Sequence, residues 1–367
     1  MKISTSSSEL LTQLQTVSRV ASTRSANPVL AGVQIVAADG RVELRATDQE
    51  IGLRVPLSAT VESDGSIVLP GRLLLDVARA LPGADASLEL RTSSQDVEIR
   101  SGSANYHLRT LRTEDFPPLP EPDASATVTV PAEAFVSTVA RVRRSASRDE
   151  TRPILTGILV SAGGTELRMV ATDSYRLSVQ ETTLESPLDG EFEANVPGRA
   201  LEELARIAAG EETIAVTVRE NQIVFACGGT VLSSRLIDGQ FPNYRQLLPE
   251  SFEHELTFAS GELTDVVRRI SLLAQKNAPL RLSFSEGQLR ISAQTPDVGE
   301  AEEALPTPFA GEPFEIGFNP DFLRDGLESV EGGDLVLKLI SPLRPGLIES
   351  ADGSGFLYLI MPIRLNV

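Results

Sequence analysis

Few side chains in this 367-residue chain could perform covalent chemistry, and their spacing does not assemble a site. His107 and His254 are the only histidines, and neither has a second ligand at a zinc-binding spacing. His107 lies in the alternating run Tyr106-His107-Leu108 and reads as an exposed strand residue. Cys227 is the only cysteine, which excludes a disulfide framework; beside Gly228-Gly229 it reads as a small buried residue rather than a nucleophile. Lys2, Lys276 and Lys338 are the only lysines, and none follows a phosphate-binding glycine loop. Asp64-Gly65-Ser66 and Asp352-Gly353-Ser354 read as hairpin turns, not as paired catalytic carboxylates. The sequence therefore predicts no catalytic residue, no metal site and no cofactor.

What remains is arginine, whose planar guanidinium suits phosphate. Arg72 and Arg79 stand seven residues apart, and Arg199 and Arg206 repeat that spacing 127 residues later. At about 100° per helical residue, both pairs point away from apolar faces, Leu74–Val77–Leu81 and Leu201–Leu204–Ala208. Arg19, Arg141, Arg144 and Arg268 also lie opposite apolar stripes. A solvated helix face accounts for any one of these, but recurrence in phase points to a shared surface.

The elements that carry these arginines repeat. Pro28-Val29-Leu30 returns as Pro153-Ile154-Leu155, and Ala46-Thr47-Asp48 as Ala171-Thr172-Asp173, each 125 residues on. Phe116-Pro117 returns as Phe241-Pro242, and Leu69-Pro70-Gly71-Arg72 as Val196-Pro197-Gly198-Arg199. A fainter third copy begins at Pro279-Leu280, with Phe318-Asn319-Pro320 at the Pro-Gly-Arg place. Such a period marks a repeat architecture. Helical spacing of apolar residues predicts six helices, over 7–20, 70–81, 131–146, 197–209, 260–275 and 319–330. Alternating runs such as Arg41–Arg45 and Ser87–Arg91 predict half-buried strands. Pro- and acid-rich stretches at Glu114–Ser125 and near Leu248–Glu253 read as linkers. The expected fold is α+β: three similar domains, 1–120, 121–249 and 250–367, each with two helices packed on antiparallel sheet.

Net charge is −18, divided among those domains as −2, −6 and −10. The six helix segments hold 11 basic and 10 acidic residues, so they are near neutral and the acid lies elsewhere. The sixth helix dissents, with Asp321, Asp325 and Glu328 on its outward face. Packed about 9 Å apart, six helices in a ring would leave no room for DNA, whereas twelve would leave a hole of about 24 Å. Two copies supply twelve, and a head-to-tail contact can close such a ring.

Read together, these landmarks resemble the bacterial sliding-clamp family, the processivity subunit of the replicative DNA polymerase III. The resemblance rests on Ala171–Leu177, Asp238-Gly239-Gln240-Phe241-Pro242-Asn243-Tyr244-Arg245, Glu300–Glu303, Gly317-Phe318-Asn319 and Met361-Pro362-Ile363-Arg364-Leu365, and it spans the chain. It implies a head-to-tail dimeric ring with helices inside and sheets outside. It implies DNA-facing positions at Arg24, Arg72, Arg148, Arg152 and Arg199, with Pro153-Ile154 where some relatives carry two aromatics. It implies a pocket for short peptides of the polymerase, the clamp-loader ATPase and repair proteins. The matching residues are Leu155, Thr172, Tyr175, Arg176, Leu177, Pro242, Asn243, Leu247, Phe322, Leu359, Met361 and Arg364. Two departures fall there: Ser174-Tyr175 replaces a common Gly-His, and Asn366-Val367 extends past the usual ending. The implied subunit interface sets Tyr106 and Leu108 against Ser271, Leu272 and Leu273, with Glu300, Glu302 and Glu303 facing basic residues across it.

The competing reading is a β-repeat peptide-binding scaffold with no DNA role; it explains the acidity but not arginines in phase on repeated helices. No run reaches the roughly 18 apolar residues of a membrane span. The start Met1-Lys2-Ile3-Ser4 lacks the apolar core of a signal peptide, so a cytoplasmic location is expected.

Overall fold

Residues that alternate in the sequence become strands, and those periodic at 3.6 become helices, in a computed structural model that describes residues 1–22, 25–91, 94–123, 127–274, 278–330 and 332–365. The first repeat runs β1 (Lys2–Ser6), α1 (Ser7–Val17), β2 (Gly32–Ala38), β3 (Arg41–Thr47), β4 (Ile51–Leu57), β5 (Ala59–Ser63), β6 (Gly65–Pro70), α2 (Gly71–Ala80), β7 (Asp85–Arg91), β8 (Asp96–Ser101) and β9 (Ala104–Arg109). The second runs β10 (Thr127–Pro131), α3 (Ala132–Val142), a one-turn α4 (Pro153–Thr156), β11 (Gly157–Gly163), β12 (Glu166–Thr172), β13 (Arg176–Thr183), β14 (Phe192–Pro197), α5 (Gly198–Ile207), β15 (Thr213–Val218), β16 (Gln222–Cys227) and β17 (Thr230–Arg235). The third runs β18 (His254–Ala259), α6 (Ser260–Ser271), β19 (Leu280–Ser285), β20 (Gln288–Thr295), β21 (Gly299–Pro306), β22 (Phe314–Phe318), α7 (Pro320–Glu328), β23 (Asp334–Leu339), β24 (Gly346–Ser350) and β25 (Phe356–Ile360).

The strands do not stay within their own repeats. One compact unit holds Met1–Val130 with Arg206–Leu236, the other Pro131–Ala205 with the chain from Ile237 onward. The first unit contains a five-stranded sheet, β5-β1-β7-β8-β9, and an eight-stranded sheet, β10-β15-β16-β17-β4-β3-β2-β6. The second contains an eight-stranded sheet, β14-β11-β12-β13-β25-β24-β23-β18, and a four-stranded one, β21-β20-β19-β22. Each long sheet is thus two half-repeats joined at a single antiparallel seam. At β4–β17, Gly52 faces Ser233; at β13–β25, Leu177 faces Leu359.

The repeated Thr-Asp has a repeated job. Asp48 Oδ1 accepts from the backbone N–H groups of Glu50 and Ile51, at 3.0 and 2.8 Å. Asp173 Oδ1 accepts from Tyr175 and Arg176, at 2.9 and 3.0 Å. Thr47 and Thr172 donate across the same turns to Ile51 O (2.8 Å) and Arg176 O (2.7 Å). These side chains substitute for backbone partners in a tight turn. The third residue of each turn is left-handed, Gln49 at φ 75° and Ser174 at φ 81°.

Every helix predicted from periodicity is present, and the ends are shorter. α1 stops at Val17 and continues as turns, while α3 stops at Val142 and tightens into a 3₁₀ turn over Arg143–Ser145. The last predicted residue of the fifth helix, Gln275, lies outside the described residues. α7 is capped by Asn319, whose Oδ1 accepts from Asp321 and Phe322 N–H at 2.9 and 3.1 Å, with Pro320 at its first turn. One turn reading needs correction. Asp352-Gly353 does join the paired strands β24 and β25, but Asp64-Gly65 is a crossover, because β5 pairs with β1 and β6 with β2. A local turn signal does not show which sheet each flanking strand joins.

Apolar faces of the helices are buried as the spacing required. Leu74, Val77 and Ala78 of α2, and Ala200, Leu201 and Leu204 of α5, point inward. α7 packs on β25 through a glycine: a Cβ at Gly326 would stand 2.5 Å from ring carbons of the fully buried Tyr358. The Tyr358 hydroxyl donates to Phe322 O at 2.7 Å, tying the helix to the strand beneath it. Gly326→Ala should therefore destabilise the protein by about 1–3 kcal/mol through overpacking. Gly261→Ala, where nothing lies within 4 Å, should be neutral or stabilising. Calorimetry of the two variants checks the pair, and equal midpoints would contradict the packing account.

Candidate functional site

The predicted arginine face divides into two classes. Arg72 and Arg79 on α2, Arg199 and Arg206 on α5, and Arg19, Arg148, Arg152 and Arg268 are exposed. Among the described residues Arg72 has no ion-pair partner, and Arg79 has only its exposed neighbour Asp76, 3.2 Å away. Arg24 lies outside the described residues. Arg141 and Arg144 are half-buried and already engaged. Arg141 Nη1 donates to Gln180 Oε1 (3.1 Å) and Ser354 Oγ (2.9 Å). Arg144 Nη1 lies between Asp325 Oδ1 (3.1 Å) and Glu328 Oε2 (2.6 Å).

Two of the three acidic residues that set α7 apart in the sequence, Asp325 and Glu328, are explained by that contact, while Asp321 pairs with Arg324 of its own helix at 2.8 Å. Glu328 also holds Arg268 at 2.8 Å, so α7 turns its acids toward arginines of α6 and of the turn after α3. Burial works to raise the Glu328 carboxyl, but Arg268 and Arg144 outweigh it and hold it below the usual carboxylate range.

The predicted peptide-pocket residues gather at one end of the second unit's eight-stranded sheet. The turn Thr172–Arg176 sits beside the exit of β25, where Met361 N–H donates to Tyr175 O at 2.9 Å. Leu177 and Leu359 form a buried apolar floor with Val170, Val179, Phe241, Tyr244 and Leu347. Above it stand exposed apolar side chains: Tyr175 at 59% exposure, Leu247 at the end of the Tyr244–Leu247 turn, and Met361. Pro242 and Asn243 are exposed, Leu155 and Phe322 half-buried, and Thr172 buried in its turn. Tyr175 and Phe322 stack with centroids 6.3 Å apart, and the Arg176 guanidinium lies 4.3 Å over the Phe322 ring. Arg364 is exposed on a tail stitched down by Ile363 N–H to Gly317 O at 2.7 Å; Asn366-Val367 lie outside the described residues.

The sequence reading passed over Leu343. Gly346 faces Ile360 across β24–β25, so the loop before Gly346 lies at the Met361 end, and it carries Leu343 62% exposed. Its signal was a leucine between Pro342 and Pro345, which no periodicity selects. Exposed apolar side chains grouped this way mark an interaction surface.

The predicted interface residues occupy two sheet edges. β9, with Tyr106 half-buried and Leu108 buried, ends the five-stranded sheet; β21, with Glu300 and Glu302 exposed and Glu303 half-buried, ends the four-stranded one. Glu302 and Glu303 already pair within the chain, with Arg290 at 3.4 Å and Arg269 at 2.7 Å. At the end of α6, Ser271 and Leu273 are half-buried while Leu272 is 83% exposed. Val298, also exposed and missed by the sequence reading, sits in the hairpin before β21.

Nothing in these surfaces is arranged for bond making. Cys227 is buried, and burial followed by Glu211 pushes its thiol up to about 11, far from a reactive thiolate. Among the described residues, no group of three histidine, cysteine or carboxylate side chains could hold a metal, and no helix is long and apolar enough to cross a membrane.

Comparison with known proteins agrees over the whole chain. The N-terminal, central and C-terminal domains of the DNA polymerase III beta subunit match residues 1–120, 129–243 and 245–364. The beta sliding clamp of Streptomyces coelicolor is 34% identical, covering 92% of this chain and 93% of that one. The clamp of Synechococcus elongatus is 34% identical over all of both chains. Among solved structures, the Bacillus subtilis sliding clamp superposes with a TM-score of 0.93 at 29% identity over the full length of both. A Pseudomonas aeruginosa clamp solved bound to griselimycin gives 0.90 at 28%, again over both full lengths. With three clamp domains, helices on antiparallel sheet and no catalytic centre of its own, the chain belongs to the family of beta sliding clamps, the non-catalytic processivity subunits that hold DNA polymerase III on DNA.

Proposed function

We propose that two copies of this chain close head to tail around duplex DNA, with the arginine faces of α2 and α5 toward the phosphates. The observation that carries this is the exposed pair Arg72 and Arg79 on α2, matched by Arg199 and Arg206 on α5. Their contacts are sequence-independent and weak, so the ring slides, and closure rather than affinity prevents escape. Closure runs through the open edges β9 and β21, with Leu272 and Val298 covered by the second copy. Charged edge residues steer that pairing more than they stabilise it. The domain boundaries fall at 120/121 and 249/250, and the site of action is the cytoplasm.

The rim around Tyr175, Leu247, Met361 and Leu343 accepts short peptides of the replicative polymerase, the clamp-loader ATPase and other proteins with clamp-binding motifs. An exposed methionine and tyrosine over a leucine floor suit several ligands at one place.

Sedimentation should give a particle of twice 39.4 kDa, and Leu272→Asp should shift it to the monomer. Once loaded, the wild-type particle should stay on nicked circular DNA and leave when the circle is cut; equal retention on linear DNA would refute enclosure. Changing Arg72, Arg79, Arg199 and Arg206 together to Glu should impair loading or sliding while the dimer persists, and unaltered processivity would remove the arginine face from the account. For the rim, Leu247→Ala with Met361→Ala is cleaner than deleting the tail, which also carries the bond to Gly317. That double variant should lose polymerase in a pull-down by about tenfold or more, as removal of buried anchors does; undiminished capture would displace the docking site.

A further inference from the structure

The arginine face and the peptide rim are tied together through a shared ion-pair partner, Asp325. α7 presents Phe322 to Tyr175 and, one turn on, Asp325 to two arginines at once: Oδ1 to Arg144 at 3.1 Å and Oδ2 to Arg176 at 2.6 Å. Arg176 is the cation stacked over Phe322, and Asp173 grips it from the turn at 3.0 Å. Glu328 holds Arg144 and Arg268, at 2.6 and 2.8 Å. A second tie reaches the same turn. Arg152 Nη1 donates to Ser174 Oγ (3.1 Å) and Asp173 O (3.5 Å), bracing the left-handed residue next to Tyr175.

We propose that Asp325 and Glu328 are positioning residues for the peptide rim, and that Arg144 and Arg152, shared between these ties and DNA phosphate, make DNA and peptide compete. This rests on the peptide rim and the enclosed duplex of Proposed function, and it extends the phosphate contacts from α2 and α5 to Arg144 and Arg152. Arg144 uses one terminal nitrogen for both acids, so a phosphate that draws the guanidinium outward breaks both contacts together. Asp325 then pulls on Arg176 alone, against Asp173, and the cation shifts from Phe322. Loss of Arg152 from Ser174 removes the brace on the turn that carries Tyr175. The ordered rim and the outward arginines are therefore alternatives, and a ligand that selects one disfavours the other by the same factor.

The test uses the full-length dimer and a fluorescein-labelled peptide copied from the polymerase segment retained in the pull-down. Rings loaded on a nicked plasmid, freed from loader by gel filtration, are compared with free rings at one salt concentration. Peptide affinity should be about fivefold or more weaker on DNA, the lower end of ordinary coupling between sites. In Asp325→Asn with Glu328→Gln, free rings should already bind peptide more weakly, and the difference between loaded and free rings should shrink toward none. Identical wild-type affinity on and off DNA would overturn the coupling whatever the variants do, because that comparison needs no substitution. Rings that never remain on the nicked circle would instead refute enclosure itself.

Discussion

The antiparallel seam between β13 and β25 is the contact on which the second unit's exposed apolar rim depends. It brings a strand from the middle of the sequence into register with one near its C-terminal end, Leu177 opposite Leu359 and Arg176 opposite Ile360. That register places the Thr172–Arg176 turn beside Met361 and, through β24, beside the loop carrying Leu343. It also lays Tyr358 under α7, where Gly326 leaves room for the ring. A one-residue slip would turn the apolar floor to solvent and break the bond from Met361 to Tyr175. Nothing about the rim is local in sequence, and its order comes from sheet packing rather than from the loops themselves.

The charge distribution follows from a second constraint. A chain with net charge −18 repels a polyanion at long range unless its cations are gathered and its acids kept away from them. On α2 and α5 the gathering is simple, with the arginines outward and Leu74, Leu201 and Leu204 inward, although Leu73 stands exposed beside Arg72. Around α7 it is not, for Asp325 and Glu328 stand against Arg144 and Arg268 and offset part of the positive field. Those acids neutralise the arginines they touch, and Asp325 also holds Arg176, the cation over Phe322. Loose binding is what sliding requires.

Much of this was legible before any coordinates. Period-3.6 apolar residues located α1 to α3 and α5 to α7 because burial of one face is what stabilises a helix on a sheet. Ala-Thr-Asp and Pro-Gly-Arg located equivalent turns because each depends on side-chain geometry that few residues can replace. The unread part was whatever depends on pairing between distant strands. Asp64-Gly65 looked like a hairpin because its residues do not encode that β5 and β6 belong to different sheets. Leu343 escaped because exposure beside Met361 is decided by β24, not by its neighbours in sequence. The acids of α7 could be seen to break the pattern, but Asp325 and Glu328 share a partner 181 and 184 residues away, at Arg144.

The repeat also shows why, of two equivalent frames, only the second fits the peptide docking proposed for it. In the first unit Arg235 N–H donates to Glu50 O at 2.9 Å, the same bond that Met361 makes to Tyr175 in the second. The backbones correspond; the side chains do not. Leu177 and Leu359 become Gly52 and Ser233, and Tyr175 and Met361 become Glu50 and Arg235. Where the second unit has an apolar floor, the first has a cavity of about 280 Å³ lined by Thr47, Ser233, Arg235 and the proline-rich linker. The linker's own Leu119 fills the space over Gly52, with its Cδ2 2.7 Å from where a Cβ would stand. The first frame is closed by its own chain and carries charge at its mouth, so it offers an incoming apolar peptide little surface to bury. Burial of such surface is the driving term in docking, and it survives only where the duplicated turn kept leucine beneath it and left tyrosine and methionine uncovered above.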